Sequence, residues 1–260
     1  MTSQSGIDEK PRANEVKSRV SGATLKTIVG MLALIGLVAV FVWLPVRTVV
    51  FAAIVVKSVV EFWKVVRAVG WHPTVVLQAA VTGVGYATMW ALMECEWRWA
   101  LVLLVSTIAT DSFALFGGMG SRRLTNHEVM TLSALVPEDV PDDDDRLWVR
   151  LLRSSPNKTV EGAWTGVIAG AVFSWATLAL LVIHTGFNAP WHVVVLVSLA
   201  PFIAVLGDLA ESLMKRTANL KDTGNVLPGH GGILDRLDSH VWVWATVGLM
   251  LMVLLSNRLL

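Results

Sequence analysis

Long apolar stretches constrain the fold of this chain more than any other feature of its sequence. A helix needs about 20 mostly apolar residues to cross a hydrocarbon core of ~30 Å. Stretches near this length occur at roughly residues 28–44, 46–62, 74–93, 97–116, 162–183, 191–211 and 240–256. Only 16% of the residues are charged, well below the share of about 25% in soluble domains. We therefore predict an all-α, polytopic integral membrane protein with about seven transmembrane helices.

The basic residues indicate how these predicted spans are oriented. With a cytoplasmic N-terminus, 17 Lys and Arg residues fall in cytoplasmic segments, and only Arg47, Arg98 and Arg258 fall outside. Because positively charged loops stay in the cytoplasm, we expect the N-terminus inside and the C-terminus outside, in the cell (inner) membrane. Lys57 is left within the second span, where pairing with Glu61 one helical turn later, or snorkelling, explains it.

The predicted organisation is an arm followed by one membrane domain. Residues 1–27 are mostly polar and form a flexible cytoplasmic arm, and residues 28–260 form a single membrane domain. The N-terminal spans of that domain occupy residues 28–93. The spans of residues 97–260 carry the polar segments, which are cytoplasmic loops at residues 117–161 and 212–239.

Composition excludes several functional classes. The formal charge of +1 offers no electrostatic footprint for a nucleic acid. The single cysteine, Cys95, supports neither an internal disulfide nor a Cys-based zinc site. The acidic run from Asp142 to Asp145 is expected to be solvated, as most charge runs are. We therefore expect the functional residues in the polar loops, because the net charge of the whole chain indicates no binding partner.

Polar residues cluster where the sixth span ends and where the seventh begins. Spacings of three or four place them on shared helical faces, with Asp208, Glu211, Ser212 and Lys215 on one helix and Asp235 and Asp238 on the next. Carboxylate oxygens are ligands for Mg²⁺, while Lys and Arg neutralise phosphate oxygens that the ion does not reach. Between the two helices, His230 could ligate a metal, donate to a phosphate or cap a turn. This density of residues predicts phosphate chemistry.

These residues together resemble the signature of the phosphatidate cytidylyltransferase family. That signature runs S-x-x-K-R, four residues, K-D, a small residue, P-x-H-G-G and D-R-x-D. The corresponding residues here are Ser212 to Arg216, Lys221-Asp222, Gly224, Pro228 to Gly232 and Asp235 to Asp238. Residues 155–162 are similar to the family's S-P-x-K-T-x-E-G, and Asp111-Ser112 resembles its D-T or D-S. Leu115-Phe116, however, replaces the usual aromatic pair, and the resemblance covers about residues 100–260.

The resemblance implies an Mg²⁺-dependent nucleotidyltransferase that condenses CTP with phosphatidate to CDP-diacylglycerol and pyrophosphate in phospholipid biosynthesis. It implies that residues 97–260 are the catalytic spans, with the active site facing the cytoplasm. The implied catalytic residues are Asp208, Asp235, Lys215 and Arg236, with Asp208 and Asp235 as the Mg²⁺ ligands. The implied substrate-binding residues are Ser155, Lys158, Thr159, Glu211, Arg216, Lys221, Asp222, His230, Gly231, Gly232 and Asp238. Whether a second cation binds and whether the chain forms a homodimer stay open.

Two alternatives compete with this interpretation. A membrane transporter also uses intramembrane acids and a kinked helix, but its charges should lie near the bilayer midplane rather than at helix ends. A CTP-dependent lipid kinase would use the same nucleotide but release CDP instead of pyrophosphate. For the transferase we expect a polar cavity that opens to the cytoplasm, with a sideways gap to the inner leaflet. The ends of the fourth, sixth and seventh spans should bound it.

Overall fold

The computed structural model describes residues 44–124, 129–141, 144–224 and 231–257. Apart from its last residue, the first predicted span lies outside these ranges, as does His230. Residues 44–56 belong to one compact unit, and the described residues from Lys57 onward belong to a second. The packing described below is that of the second unit.

The described chain is built from helices joined by short loops. The helices are α1 (Leu44–Val69), α2 (Pro73–Cys95), α3 (Trp97–Leu124), α4 (Leu147–Ser154), α5 (Val160–Thr185), α6 (Trp191–Ser198), α7 (Ala200–Thr217), α8 (Leu234–Val243) and α9 (Leu249–Ser256). A π-helical turn, Trp244–Gly248, joins α8 to α9. Within the described ranges, the only β interaction is an isolated bridge between Thr131 and Thr159. The predicted all-α fold is confirmed for this part of the chain.

Five stretches of the described chain are long and apolar enough to cross a membrane. They are Pro73–Cys95, Trp97–Arg122, Val160–Thr185, Trp191–Thr217 and Leu234–Ser256. These correspond to the third to seventh predicted spans. The second predicted span lies in α1 and is not among them, because five charged residues interrupt the apolar sequence of that helix: Arg47, Lys57, Glu61, Lys64 and Arg67. Five candidate spans are therefore observed, and the count of seven stays a prediction.

The stretch Trp191–Thr217 is broken in its middle. Pro201 lies in the first turn of α7, where its missing N–H costs no helical hydrogen bond. Helix α6 ends at Ser198, and Leu199 separates it from α7. The polar residues that follow Pro201 are thus carried by a separate helical segment.

Helices α3 and α5 pack against each other through glycines. A Cβ atom at Gly162 would lie 2.7 Å from the carbonyl oxygen of Ala114, and one at Gly166 would lie 2.6 Å from that of Thr110. Only the missing side chains allow the two backbones to come this close. The close approach places the start of α5 beside the C-terminal half of α3.

Helix α8 is held between α2 and α7. A Cβ atom at Gly207 of α7 would lie 2.8 Å from Cβ of Trp242. The indole Nε1 of Trp242 donates to Oε1 of Gln78 on α2 at 3.0 Å. A buried apolar cluster fixes the other end of α8, and it contains Val65, Val66, Val75, Met214, Ala218 and Leu234. These contacts set the position of the acidic residues in the first turns of α8.

Candidate active site

A cavity of about 480 Å³ lies where α3, α5, α7 and α8 meet. Three helices contribute aspartates to its wall, and three basic residues line the same space. The acidic residues are Asp111, Asp208, Asp235 and Asp238, and the basic residues are Arg122, Lys158 and Arg236. The expected boundary included the fourth, sixth and seventh spans, and the structure adds the turn before α5 and the start of that helix.

The Asp208 side chain forms an ion pair with Lys158 across this cavity. Lys158 lies in the turn between α4 and α5, and its backbone N–H donates to the carbonyl of Ser155 at 3.2 Å. The bridge to Thr131 holds the same turn, because Leu132 N–H donates to the carbonyl of Lys158 at 2.8 Å. A short loop interaction therefore positions the lysine that faces α7.

The Asp235 carboxylate receives hydrogen bonds from two separate positions in the connection between α7 and α8. The backbone N–H groups of Thr223 and Gly232 donate to its Oδ2 at 2.9 Å and 2.8 Å. Lys215 Nζ donates to Oδ1 at 3.0 Å and to Oε2 of the fully buried Glu211 at 3.2 Å. Asp235 thus has a fixed position, with a cation and two backbone donors around it.

A second hydrogen-bonded pair joins α3 to α8. Ser239 Oγ donates to Oδ2 of Asp111 at 2.6 Å, and its backbone N–H donates to Oδ1 of Asp238 at 2.7 Å. Ser239 is completely buried. One serine therefore orients two of the four aspartates at the cavity.

The donor set suits a metal ion that arrives with a nucleotide. Among the described residues, no three His, Cys, Asp or Glu side chains are grouped closely enough to hold a metal ion by themselves. Mg²⁺ is usually bound through one or two carboxylates, with water and substrate phosphates as its other ligands. Asp208 and Asp235 face the same cavity and supply such a pair.

The other predicted site residues fall into two groups. Thr159 lines the cavity, and its Oγ1 accepts from Gly162 N–H at 3.0 Å to cap α5. Arg216 is not among the lining residues, and its Nε donates to the carbonyl of Ser154 at 3.3 Å. Seven more predicted residues do not line the cavity in the described structure: Ser155, Glu211, Lys215, Lys221, Asp222, Gly231 and Gly232. Gly231 has a φ of 78°, a backbone conformation that favours glycine.

Several residues at the cavity lie outside the predicted set. Asp111 was recognised only through its resemblance to the family motif, and Thr110, Arg122 and Asn157 gave no signal in the sequence. Arg122 donates to the backbone carbonyl of Asn157 at 2.7 Å, which joins the end of α3 to the turn before α5. A side-chain bond to a carbonyl 35 residues away leaves no spacing pattern that a sequence could reveal.

Of the two explanations given for Lys57, pairing with Glu61 is wrong, and snorkelling stays a prediction. Lys57 is exposed, whereas Glu61 is only 2% exposed and faces the start of α8. Its carboxylate accepts from the N–H groups of Ile233 at 3.1 Å and Leu234 at 2.9 Å. The first N–H groups of a helix have no partner within the helix, and here this carboxylate supplies one.

The acidic run is described from Asp144 onward, and neither of its described residues lines the cavity. Asp144 accepts from both the backbone N–H and the guanidinium of Arg146, at distances from 2.8 to 3.0 Å. The hydrogen bonds from that side chain, followed by the backbone bond, lower the pKa of Asp144. Asp145 is exposed. The described part of the run is a surface feature.

Comparison with known proteins gives consistent matches. The sequence model of the cytidylyltransferase family matches residues 148–254. A phosphatidate cytidylyltransferase of Helicobacter pylori (strain ATCC 700392 / 26695) is 30% identical over 238 residues, which cover 91% of this chain and 74% of that protein. One from Bacillus subtilis is 46% identical over 101 residues, or 38% of this chain and 34% of its own length. The chloroplastic phosphatidate cytidylyltransferase 5 of Arabidopsis thaliana is 29% identical over 65% of this chain and 37% of its own length.

Proposed function

The chain belongs to the phosphatidate cytidylyltransferase family, and from that premise we propose that it condenses CTP with phosphatidate. In this reaction a phosphate oxygen of the lipid attacks the α-phosphorus of CTP. The new P–O bond gives CDP-diacylglycerol, and the bond to the β-phosphate breaks to release pyrophosphate. The lipid phosphate is already ionised at neutral pH, so the step needs no general base.

One observation carries this proposal: acidic and basic side chains from three helices and the turn before α5 line a single cavity. Repulsion between the triphosphate and the lipid phosphate is the main obstacle to in-line attack. Lys158, Arg236 and Arg122 line the space where two such anions would meet, and they would neutralise part of that charge. Lys215 does not line the cavity, and it acts through its hydrogen bond to Asp235.

Asp208 and Asp235 are our proposed ligands for Mg²⁺, and the presence of a second cation stays open. When bound, the ion would withdraw charge from the phosphate oxygens of CTP. The protein's own contribution is to hold these carboxylates still. Asp235 is fixed by Thr223, Gly232 and Lys215, and Asp208 is fixed by Lys158.

The two substrates need separate routes to the cavity. CTP is water-soluble, whereas the acyl chains of phosphatidate cannot leave the bilayer without exposing tens of methylenes at ~0.8 kcal/mol each. Leu115 and Met119 line the cavity and are 62% and 41% exposed, so this part of α3 is apolar both inside and outside. We place lipid access there, from the inner leaflet, and nucleotide access on the cytoplasmic side of the inner membrane.

The decisive experiment uses purified protein with radiolabelled CTP, phosphatidate in mixed micelles and Mg²⁺. We expect a CDP-lipid and pyrophosphate in equal amounts. Stoichiometric CDP, with no cytidine in the lipid, would replace this proposal with the lipid kinase. Asp145→Asn serves as a control, because that carboxylate is exposed and does not line the cavity.

A further inference from the structure

Glu61 is a buried carboxylate that belongs to none of the motifs in the signature region. It lies on α1, outside the matched residues 148–254, and its side chain is 2% exposed. Burying a carboxylate is costly unless hydrogen bonds replace its hydration. The groups that replace that hydration therefore indicate what this residue does.

Among the described residues, the hydrogen-bond donors to Glu61 come from the two ends of residues 223–234, the part of the chain that leads into α8. At the far end, the N–H groups of Ile233 and Leu234 donate to Oε1 at 3.1 Å and Oε2 at 2.9 Å. At the near end, Thr223 Oγ1 donates to Oε2 at 3.4 Å. Residues separated by 162 to 173 positions are thus joined through one side chain.

Two glycines leave the space that this carboxylate occupies. A Cβ atom at Gly224 would lie 2.5 Å from Oε1 of Glu61, and one at Gly232 would lie 2.7 Å from its Cδ. Neither glycine has a positive φ, so an alanine at either position would fit the backbone but not the neighbouring carboxylate. The glycines are required here by close approach, not by backbone conformation.

Glu61 and Asp235 both accept hydrogen bonds from the two ends of residues 223–234. Thr223 gives its N–H to Asp235 and its hydroxyl to Glu61. Gly232 gives its N–H to Asp235, and the next two residues give theirs to Glu61. Any shift of these ends away from Glu61 would therefore move the donors that orient Asp235.

We propose that Glu61 is a positioning residue of the active site, which holds both ends of this segment and so orients Asp235. The inference rests on the proposed function for its effect on turnover, but the contact itself can be tested without activity. Glu61 does not touch the cavity. Its effect should therefore appear through Asp235 and not through direct contact with a substrate.

The first test compares Glu61→Gln with the exposed control Glu138→Gln in purified, folded protein. The amide keeps the shape of the side chain but points an N–H₂ group at backbone donors. We expect turnover to fall, and half-saturating Mg²⁺ to rise, by about tenfold, which is typical of losing a residue that orients a metal ligand. The KM for phosphatidate should stay within about twofold, because the lipid contacts are untouched. Normal Mg²⁺ dependence in Glu61→Gln would overturn the positioning role.

The second test measures the contact between Glu61 and Gly232 by thermal unfolding in detergent. Gly232→Ala should lower the unfolding midpoint in the wild type, and by less than half as much in the Glu61→Ala background, where the new Cβ has room. Gly83→Ala is the control, because nothing lies within 4 Å of the position of its Cβ. Additive effects would overturn the contact. If the wild type made no CDP-lipid, the proposed function would fail, and this coupling would still decide whether Glu61 holds the segment.

Discussion

Lys215 Nζ donates to Oδ1 of Asp235 over 3.0 Å, and this bond connects the two helices that carry the signature residues. The same ammonium reaches Glu211, whose side chain has no exposed surface. One cation thus serves two carboxylates that contact little or no solvent. The arrangement makes the lysine a structural requirement as well as a source of positive charge for phosphates.

We expect Lys215→Met to destabilise the protein strongly. Removing one partner of a buried ion pair costs about 3–5 kcal/mol, because the other charge is left uncompensated. Thermal unfolding in detergent measures the effect, and the additional substitution Glu211→Gln should recover part of it. Lys64→Met is the control, since Lys64 is exposed on α1. An unchanged midpoint for Lys215→Met would contradict the pairing.

Asp208→Asn and Asp235→Asn should distinguish the contribution of these carboxylates to turnover from their contribution to stability. Both amides remove a charge proposed to hold Mg²⁺, so both should reduce turnover by at least about 100-fold. Asp235 also accepts from Lys215 and two backbone N–H groups, whereas the ion pair of Asp208 is with Lys158. Only Asp235→Asn should therefore lower the unfolding midpoint markedly.

The control for this pair is Asp145→Asn, which should leave both turnover and stability unchanged. Activity and thermal unfolding are measured on the same preparations, so that loss of folded protein is not mistaken for loss of chemistry. Wild-type turnover at limiting Mg²⁺ in either variant would remove that residue from the proposed metal site.

The third to seventh spans could be predicted because each is a long apolar run with few charges. The charged residues of α1 weaken the same signal, and the span predicted at residues 46–62 is not among the five candidate spans of the described chain. The glycine repeat at 162, 166 and 170 indicates close helix packing, but only the structure identifies its partners, which are α3 along the repeat and also Pro201 of α7 at Gly170. Apolar length is encoded locally, whereas the choice of a partner helix is not.

The residues of the site could be predicted where side chains form the contacts, but not where backbone groups form them. Asp208 and Asp235 lie on different helices and line one cavity, and their side chains were named from the sequence. Glu61 was assigned to the wrong partner because its true donors are backbone N–H groups at Ile233 and Leu234. Every residue except proline has an N–H group, so such a partner leaves no trace in side-chain spacing.

Gly166→Ala should test the packing that brings α3 and α5 together. Its new Cβ would lie 2.6 Å from the carbonyl of Thr110 and 2.8 Å from Cβ of Ala114. Overpacking of this kind typically costs about 1–3 kcal/mol, so the unfolding midpoint should fall. Turnover should fall as well, because the two helices form one wall of the cavity. Gly83→Ala is the matched helical control, and equal behaviour of the two variants would contradict the close packing.

The orientation in the membrane can be tested with cysteine labelling in intact cells. Cys95 is exposed in the structure, and the predicted topology places it outside. We expect impermeant maleimides to label the native Cys95 from the outer side. With Cys95 replaced by Ala, Ser256→Cys should also be labelled from outside, and Asp145→Cys only after permeabilisation. Labelling of positions 145 and 256 from the same side would overturn the predicted orientation.

Leu115→Trp should test where the lipid reaches the cavity. Leu115 lines the cavity and is 62% exposed, so a larger side chain there would narrow an opening towards the bilayer without touching Asp208 or Asp235. We expect the KM for long-chain phosphatidate to rise several-fold while the KM for CTP stays the same. A short-chain phosphatidate should be less affected, because fewer methylenes must pass the constriction. Leu180→Trp on α5 is the control, since Leu180 is 56% exposed but does not line the cavity. A rise in the KM for CTP instead would mean that this face of α3 admits the nucleotide, and lipid access would then have to be sought at another face of the cavity.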